Sequence, residues 1–186
     1  IFIVIPEGSF LLLDKVKLAL DVAASSFYEK GKYTFDEKDY TSDELLDFYQ
    51  TLTNSFPILS IEDPFYEEDF GRFAELLSQN KTRVVGDDLT VTNSARLKEA
   101  INQESINAII IKPNQIGTLT ETLETMKLAT ENNVECIISH RSGETTDDFI
   151  ADLAYAFGTF GIKTGAPHGG ERISKYNRLL EISQKI

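Results

Sequence analysis

Six short apolar stretches punctuate the chain: KLALD at 17–21, ILSIE at 58–62, RVVGD at 83–87, AIIIK at 108–112, ECIISH at 135–140 and GIK at 161–163. The first five are rich in Val, Ile and Leu and are bounded by polar or turn residues. Uninterrupted apolar runs of that length suit strands buried on both faces, as in a parallel sheet. GIK is too short to stand alone and counts as a strand by its place in the series. The segments between them read as helices. Thr41 with Glu44 forms a capping box ahead of LLDFYQTL, and Thr118 with Glu121 forms another ahead of LETMKLA. Thr92 and Asn93 cap the segment that runs through Ala100, and the stretch 145–157 places Phe149, Ile150, Leu153 and Phe157 on one helical face. Strand and helix alternate, which means right-handed βαβ units with the strands parallel and adjacent in chain order. Residues 1–5 also read as a strand, placed to cover one edge of that sheet.

Each predicted strand ends on a charged or titratable residue: Asp21, Glu62, Asp87, Lys112, His140 and Lys163. Successive differences are 41, 25, 25, 28 and 23 residues. The later values are about one βα unit each, and the first leaves room for an insert at 28–40. In a (β/α)8 barrel the residues that do chemistry sit at the C-terminal ends of the strands, around one mouth. A doubly wound open sheet is the alternative, but its ligand site would gather at one switch point and not use every strand. The expected fold class is α/β, a TIM-like barrel that is incomplete, with about six βα units present.

Composition narrows the function. With 186 residues, 41% hydrophobic and 26% charged, the chain is one globular domain or a piece of one, neither disordered nor a coiled coil. Its formal charge of −12 should repel nucleic acid and anionic membrane surfaces. The apolar runs at 1–5 and 10–13 are far short of a membrane span, and no basic segment precedes an apolar stretch. One cysteine, Cys136, fits a reducing compartment, which predicts a cytoplasmic protein. The first residue is Ile1, so the start was processed or the chain belongs to a longer one.

Three carboxylates, Asp21, Glu62 and Asp87, are thus expected at one mouth. Unpaired, they would repel one another and lose hydration. A hard divalent cation resolves that cost, and oxygen-only ligands favour Mg²⁺ over zinc. Singly, each acid is as well explained as a cap for the next helix; three at successive strands favour the metal. Asp63 and Asp88, directly after two of these acids, suit loop-fixing roles.

Lys112 and Lys163 carry ammonium groups into the mouth on buried stems. A lysine beside a metal ion and a second lysine can serve as a base; the same residues read equally well as salt-bridge partners of the acids. His140-Arg141-Ser142-Gly143-Glu144 then leads into a helix start at 145–147, a pocket suited to phosphate or carboxylate, with an ordinary βα loop as the alternative. His168 reads as a surface loop histidine. Asn114 and Gln115 are placed to bond substrate or the neighbouring loop. The run 66–69 reads as a solvated helix start, and Cys136 as buried and unreactive.

At these residues the sequence resembles the enolase (phosphopyruvate hydratase) family. The matching motifs are LALDVAASSFY (18–28), SIEDPF (60–65), VVGDDLTVTN (84–93), IKPNQIGTLTET (111–122), ISHRSGETTDDFIADLA (138–154) and IKTGAPHGGERISKYNRLLEI (162–182). They stand in the family's order and spacing. The resemblance implies Mg²⁺ held by Asp21, Glu62 and Asp87, with 2-phosphoglycerate as substrate and phosphoenolpyruvate as product. It implies that Lys112 removes the C2 proton, that Lys163 contacts the substrate carboxylate, that Arg141 and Ser142 bind the phosphate, and that His140 lies beside the substrate. It further implies a homo-oligomeric parent protein.

Two departures qualify the match. The loop 167–171 lacks an arginine that many members carry before the glutamate. The chain is also short: the family's N-terminal capping domain, first two barrel strands, general-acid glutamate and mobile metal-binding loop have no counterpart here. Residues 1–186 are therefore expected to form a partial C-terminal barrel domain that is inactive alone. Two other readings compete: another enolase-superfamily enzyme, such as a racemase or cycloisomerase, and a non-catalytic binding protein built on a truncated barrel.

Overall fold

Runs of Ile, Val and Leu with no polar interruption bury both faces only in a sheet covered on both sides. The computed structural model, which describes residues 2–4 and 17–185, buries the strands at 83–86 and 108–111 in this way, whereas KLALD at 17–21 has no buried residue and GIK is half-buried. In chain order the elements begin with β1 (Phe2–Val4) and β2 (Lys17–Asp21), followed by a 3₁₀ turn at Ala24–Phe27. A small meander follows, β3 (Tyr28–Glu29), β4 (Lys32–Phe35) and β5 (Lys38–Tyr40), and then helix α1 (Ser42–Ser55). The alternating part comprises β6 (Ile58–Glu62), α2 (Phe70–Gln79), β7 (Arg83–Gly86), α3 (Ser94–Asn102), β8 (Ala108–Ile111), α4 (Pro113–Ile116) and α5 (Leu119–Glu131). It closes with β9 (Glu135–Ser139), α6 (Phe149–Ala156), β10 (Gly161–Lys163) and α7 (Gly170–Ser183).

Strands β2, β6, β7, β8, β9 and β10 are parallel and adjacent in chain order, as the spacing predicts. They form an open half-barrel, an incomplete TIM barrel. β1 lies antiparallel on β2, with Phe2 opposite Ala19. The predicted N-terminal strand is thus realised over Phe2–Val4; Ile1, Ile5 and the apolar run 10–13 lie outside the described residues.

The pleat sorts each strand's side chains between two cores. Ile61, Val84, Ile109, Ile111 and Ile138 join the large core beneath the helices, with Leu76, Leu97 and Met126. Val85, Ala108 and Ile110 form a second, smaller cluster, against which Ile137 packs. Neighbouring residues such as Val84 and Val85 thus serve different cores, which is why these strands carry no polar alternation.

The helix signals held in part. The capping box of α1 is complete: Thr41 Oγ1 accepts from Glu44 N at 3.2 Å, and Glu44 Oε2 accepts from Thr41 N at 2.8 Å. Before α5, Thr118 Oγ1 accepts from Glu121 N at 3.2 Å, but the Glu121 carboxylate takes the Thr118 hydroxyl and not its backbone N–H. Asn93 caps α3 through Ala95 N and Arg96 N. Thr92 does not share that task; its hydroxyl accepts from Lys112 N at 2.9 Å and bonds Gln115 Oε1 at 3.2 Å.

Helix α6 is shorter than predicted. Thr145 and Asp147 side chains accept backbone N–H groups two residues on, a turn that competes with helix, so α6 begins only at Phe149. Its buried side is Ala151, Leu153 and Ala154, whereas Phe149 and Phe157 are exposed. The small residues face inward because α6 packs closely on both β9 and α7.

The insert at 28–40 is the meander. Its two tight turns place Lys30, Gly31, Asp36 and Glu37 at positive φ, the backbone of two-residue hairpin loops. Fully buried Tyr33 accepts from Tyr66 N at 3.0 Å, and Tyr28 stacks on Tyr66 at 4.5 Å between centroids. The meander therefore clamps the loop after β6. In the run 66–69, only Asp69 caps α2; Glu68 pairs with Arg96 at 3.0 Å. No helix among the described residues is long and apolar enough to cross a membrane.

Candidate active site

The parallel register brings Asp21 beside Glu62, the last residues of β2 and β6. Asp87, Lys112 and His140 each lie one residue past the strand end, a small shift from the predicted boundaries. Side chains capture the first two of their N–H groups: Asp63 Oδ1 accepts from Asp87 N at 3.0 Å, and Thr92 from Lys112 N. His140 N donates to Lys163 O at 2.9 Å. All six titratable residues stand at the C-terminal end of the sheet.

The decisive contact crosses the mouth. Lys163 Nζ, on β10, lies 2.7 Å from Asp21 Oδ2 and 2.6 Å from Glu62 Oε1. In a flat sheet β2 and β10 would stand five strand spacings apart, roughly 24 Å. The sheet must curl for one lysine to touch both acids, which selects the barrel over the doubly wound sheet. Burial acts against the Lys163 ammonium, but Glu62 and Asp21 outweigh it and hold its pKa above the ordinary lysine value. The Glu62 carboxyl is held well above its usual range by burial and by the Asp21 and Asp87 charges, with Lys163 opposing. Two acids share one ammonium, so the group as a whole holds protons tightly.

Lys112 Nζ pairs with Asp87 Oδ2. The other oxygen, Asp87 Oδ1, is buried with no hydrogen-bond partner among the described residues. The described residues bring oxygens of Asp63, Asp87 and Asp88 within 4.8 Å of one another. Asp63 is spent on the backbone, however: its oxygens accept from Asp87 N at 3.0 Å and Asp88 N at 2.7 Å. It fixes the turn after β7, and burial pushes its carboxyl up to about 7. Of the three predicted ligands only Asp87, with its open oxygen, belongs to that group of Asp63, Asp87 and Asp88; oxygens of Asp21 and Glu62 are engaged by Lys163. The acids here, from exposed Asp21 to buried Glu62 and Asp87, offer hard carboxylate oxygens, a donor chemistry that suits a hard divalent cation.

On the β9 side, His140 Nδ1 is buried without a hydrogen-bond partner among the described residues. Burial lowers the His140 pKa, with Arg172, Lys163 and Lys175 adding to the effect against Glu144, so the ring is neutral at pH 7. Arg141 and Ser142 are exposed beside it. Arg141 Nη1 reaches Asn114 Oδ1 at 3.3 Å, joining the loops after β8 and β9. Gln115 bonds Thr92, so neither Asn114 nor Gln115 is idle. His168 is exposed. Cys136 is buried in β9, and burial pushes its thiol up to about 11.

Nothing in the sequence marks Lys175 as part of the site. It lies in α7, four residues after Glu171, and a Glu–Lys pair at that spacing is normally a surface pair. Here Lys175 is 1% exposed and its ammonium reaches Glu144 Oε2 at 2.9 Å. The missing signal is tertiary: its partner lies on a loop that only the packing of α7 against α6 brings near.

An open half-barrel of parallel strands whose mouth gathers carboxylates and lysines defines a (β/α) barrel protein with its chemistry at the strand ends. The profile described as "Enolase, C-terminal TIM barrel domain" matches residues 4–186. The chain is 50% identical over 173 residues to the enolase of Methanocaldococcus jannaschii, covering 93% of this chain and 41% of that protein. It is 52% identical over 176 residues to the enolase of Bifidobacterium animalis subsp. lactis, covering 92% of this chain and 41% of that protein. Against the enolase of Sulfolobus acidocaldarius the identity is 52% over 170 residues, with 91% and 41% covered. The chain belongs to the enolase C-terminal barrel family, and it spans 41% of the length of these curated relatives.

Proposed function

We propose that this chain is the barrel portion of an enolase-type lyase, which removes water from 2-phosphoglycerate to give phosphoenolpyruvate. The observation that carries the reading is the convergence, at one mouth, of Lys112 on Asp87 and of Lys163 on both Asp21 and Glu62. The identity to proteins named enolase supports the same reading.

Asp21, Glu62 and Asp87 would hold Mg²⁺. When bound, the ion supplies positive charge against the substrate carboxylate. The C2 proton is weakly acidic because its loss adds charge to that carboxylate; Lys112, released from Asp87 as the neutral amine, takes it onto Nζ. Lys163 sets a fixed ammonium against the growing charge, a contact stronger in the transition state than in the ground state. Arg141 and Ser142 bind the phosphate. His140, neutral and with Nδ1 unpartnered among the described residues, offers the substrate a hydrogen bond and not a charge. No residue of the chain is assigned the protonation of the departing hydroxyl.

The activity is proposed for this barrel joined to the parts its relatives carry beyond it. The charge of −12 supports a small-molecule substrate over nucleic acid or a membrane surface, and the single cysteine supports a cytoplasmic setting. The family resemblance supports a homo-oligomeric parent. The test is an assay of phosphoenolpyruvate formation from 2-phosphoglycerate and Mg²⁺ by the protein that carries this barrel. Turnover is expected, with none from residues 1–186 alone; an intact protein that binds 2-phosphoglycerate and never converts it would contradict the reading.

A further inference from the structure

The loop between β9 and α6 carries the residues assigned to the anion, yet almost nothing apolar orders it. Arg141, Ser142, Gly143 and Thr145 are all exposed. Its order must come from polar ties, and one buried cation supplies them. Lys175 Nζ donates to Thr145 O at 2.6 Å, to Glu171 O at 2.5 Å and lies 2.9 Å from Glu144 Oε2. An ammonium has three N–H donors, and each finds an acceptor, which is what permits its burial. Two of the three acceptors belong to the loop. The second carboxylate oxygen, Glu144 Oε1, accepts from Arg141 N at 2.8 Å. A continuous line therefore runs from α7 through Lys175 and Glu144 to the backbone of Arg141, with Thr145 pinned on the far side of Ser142. Burial acts to raise the Glu144 pKa, but Arg141 N–H and Lys175 outweigh it and keep the carboxyl below its usual range.

We propose that Lys175 is a positioning residue: acting through Glu144, it fixes the Arg141–Ser142 turn in the geometry that receives the substrate's phosphate. The purpose it serves rests on the anion-pocket reading above; the fastening itself rests on the contacts alone. Without Lys175 the turn must be ordered by the anion at the moment of binding, and affinity falls accordingly.

The test uses ¹⁵N-labelled residues 1–186, inorganic phosphate as the probe, and two readouts. One is the heteronuclear NOE of Gly143–Thr145; the other is the movement of the Arg141 Nε–H and Ser142 N–H signals on titration. The variants are Lys175→Met, which keeps the stem, Lys175→Arg, which keeps the charge, and Glu144→Gln. Lys175→Met and Glu144→Gln should lower the loop's NOE and weaken phosphate binding on the order of ten-fold, the loss for ordering about one residue's backbone on binding. Lys175→Arg should recover part of both. Should Lys175→Met fail to fold, Glu144→Gln decides, since that side chain is partly exposed. A lower melting temperature with loop order and phosphate affinity unchanged in the folded molecules would overturn the proposal. Loosening of the loop in the variants, with no movement of the Arg141 or Ser142 signals even in the parent chain, would uphold the role of Lys175 and overturn the anion pocket.

Discussion

Lys163 Nζ lies 2.6 Å from Glu62 Oε1, although the two residues are 101 apart in the chain and three strands stand between β10 and β6. That one contact ties topology to chemistry. It requires a curled sheet, and it sets a cation against carboxylates that would otherwise repel at a buried mouth. On the proposed metal assignment, a divalent cation and the lysines would compete for the same acids.

Metal affinity should therefore separate ligands from lysines. Glu62→Gln removes a charged oxygen donor and should weaken Mg²⁺ binding by at least about ten-fold, the scale set by losses of even indirect supports of a metal site. Lys112→Ala removes the ammonium that pairs with Asp87 and should leave Mg²⁺ binding intact or tighter. Isothermal titration calorimetry reads both; equal loss in the two variants would contradict the assignment.

Asp63 predicts a pH dependence. Its folded pKa, about 7, stands above the ordinary 3.8, so between those values the folded chain holds a proton that the unfolded chain has released. Stability from this group is complete below about 3.8 and is lost as the pH rises through about 7. Asp63→Asn cannot titrate, and it leaves one of two backbone N–H groups without its acceptor, costing about 1–3 kcal/mol. Denaturant unfolding at several pH values between those limits should show a flatter slope in the variant. A slope identical to the parent chain's would show that Asp63 does not titrate there.

The meander should matter to stability through the loop after β6 that it clamps. Tyr33→Phe removes the acceptor of Tyr66 N–H while keeping the buried ring. The expected cost is about 1–2 kcal/mol by urea unfolding, from one orphaned N–H in a partly buried loop. A change below about 0.3 kcal/mol would mean that water replaces the hydroxyl without loss.

The parallel order and the mouth were legible because every strand ends on a titratable residue at nearly constant spacing. Asp21, Glu62, Asp87, Lys112, His140 and Lys163 all stand where that spacing put them, within one residue of a strand end. What was not legible depended on tertiary partners. Lys175 looks like half of a surface pair with Glu171 until α7 packs beside the loop that holds Glu144. The helix start at Phe149 was misplaced because Thr145 and Asp147 satisfy the local backbone themselves. The strands of the insert were readable in principle: Lys30-Gly31 between Tyr-rich segments is a hairpin signal.

The central claim is that Lys112 removes the C2 proton at a mouth built by these strands. The direct measurement is the exchange of the C2 hydrogen of 2-phosphoglycerate with deuterated solvent, in the protein that carries this barrel, with Mg²⁺ present. The Lys112→Ala protein should bind Mg²⁺ and lose the exchange, while the parent protein exchanges faster than it forms product or as fast. Exchange at the parent rate in Lys112→Ala would contradict the account.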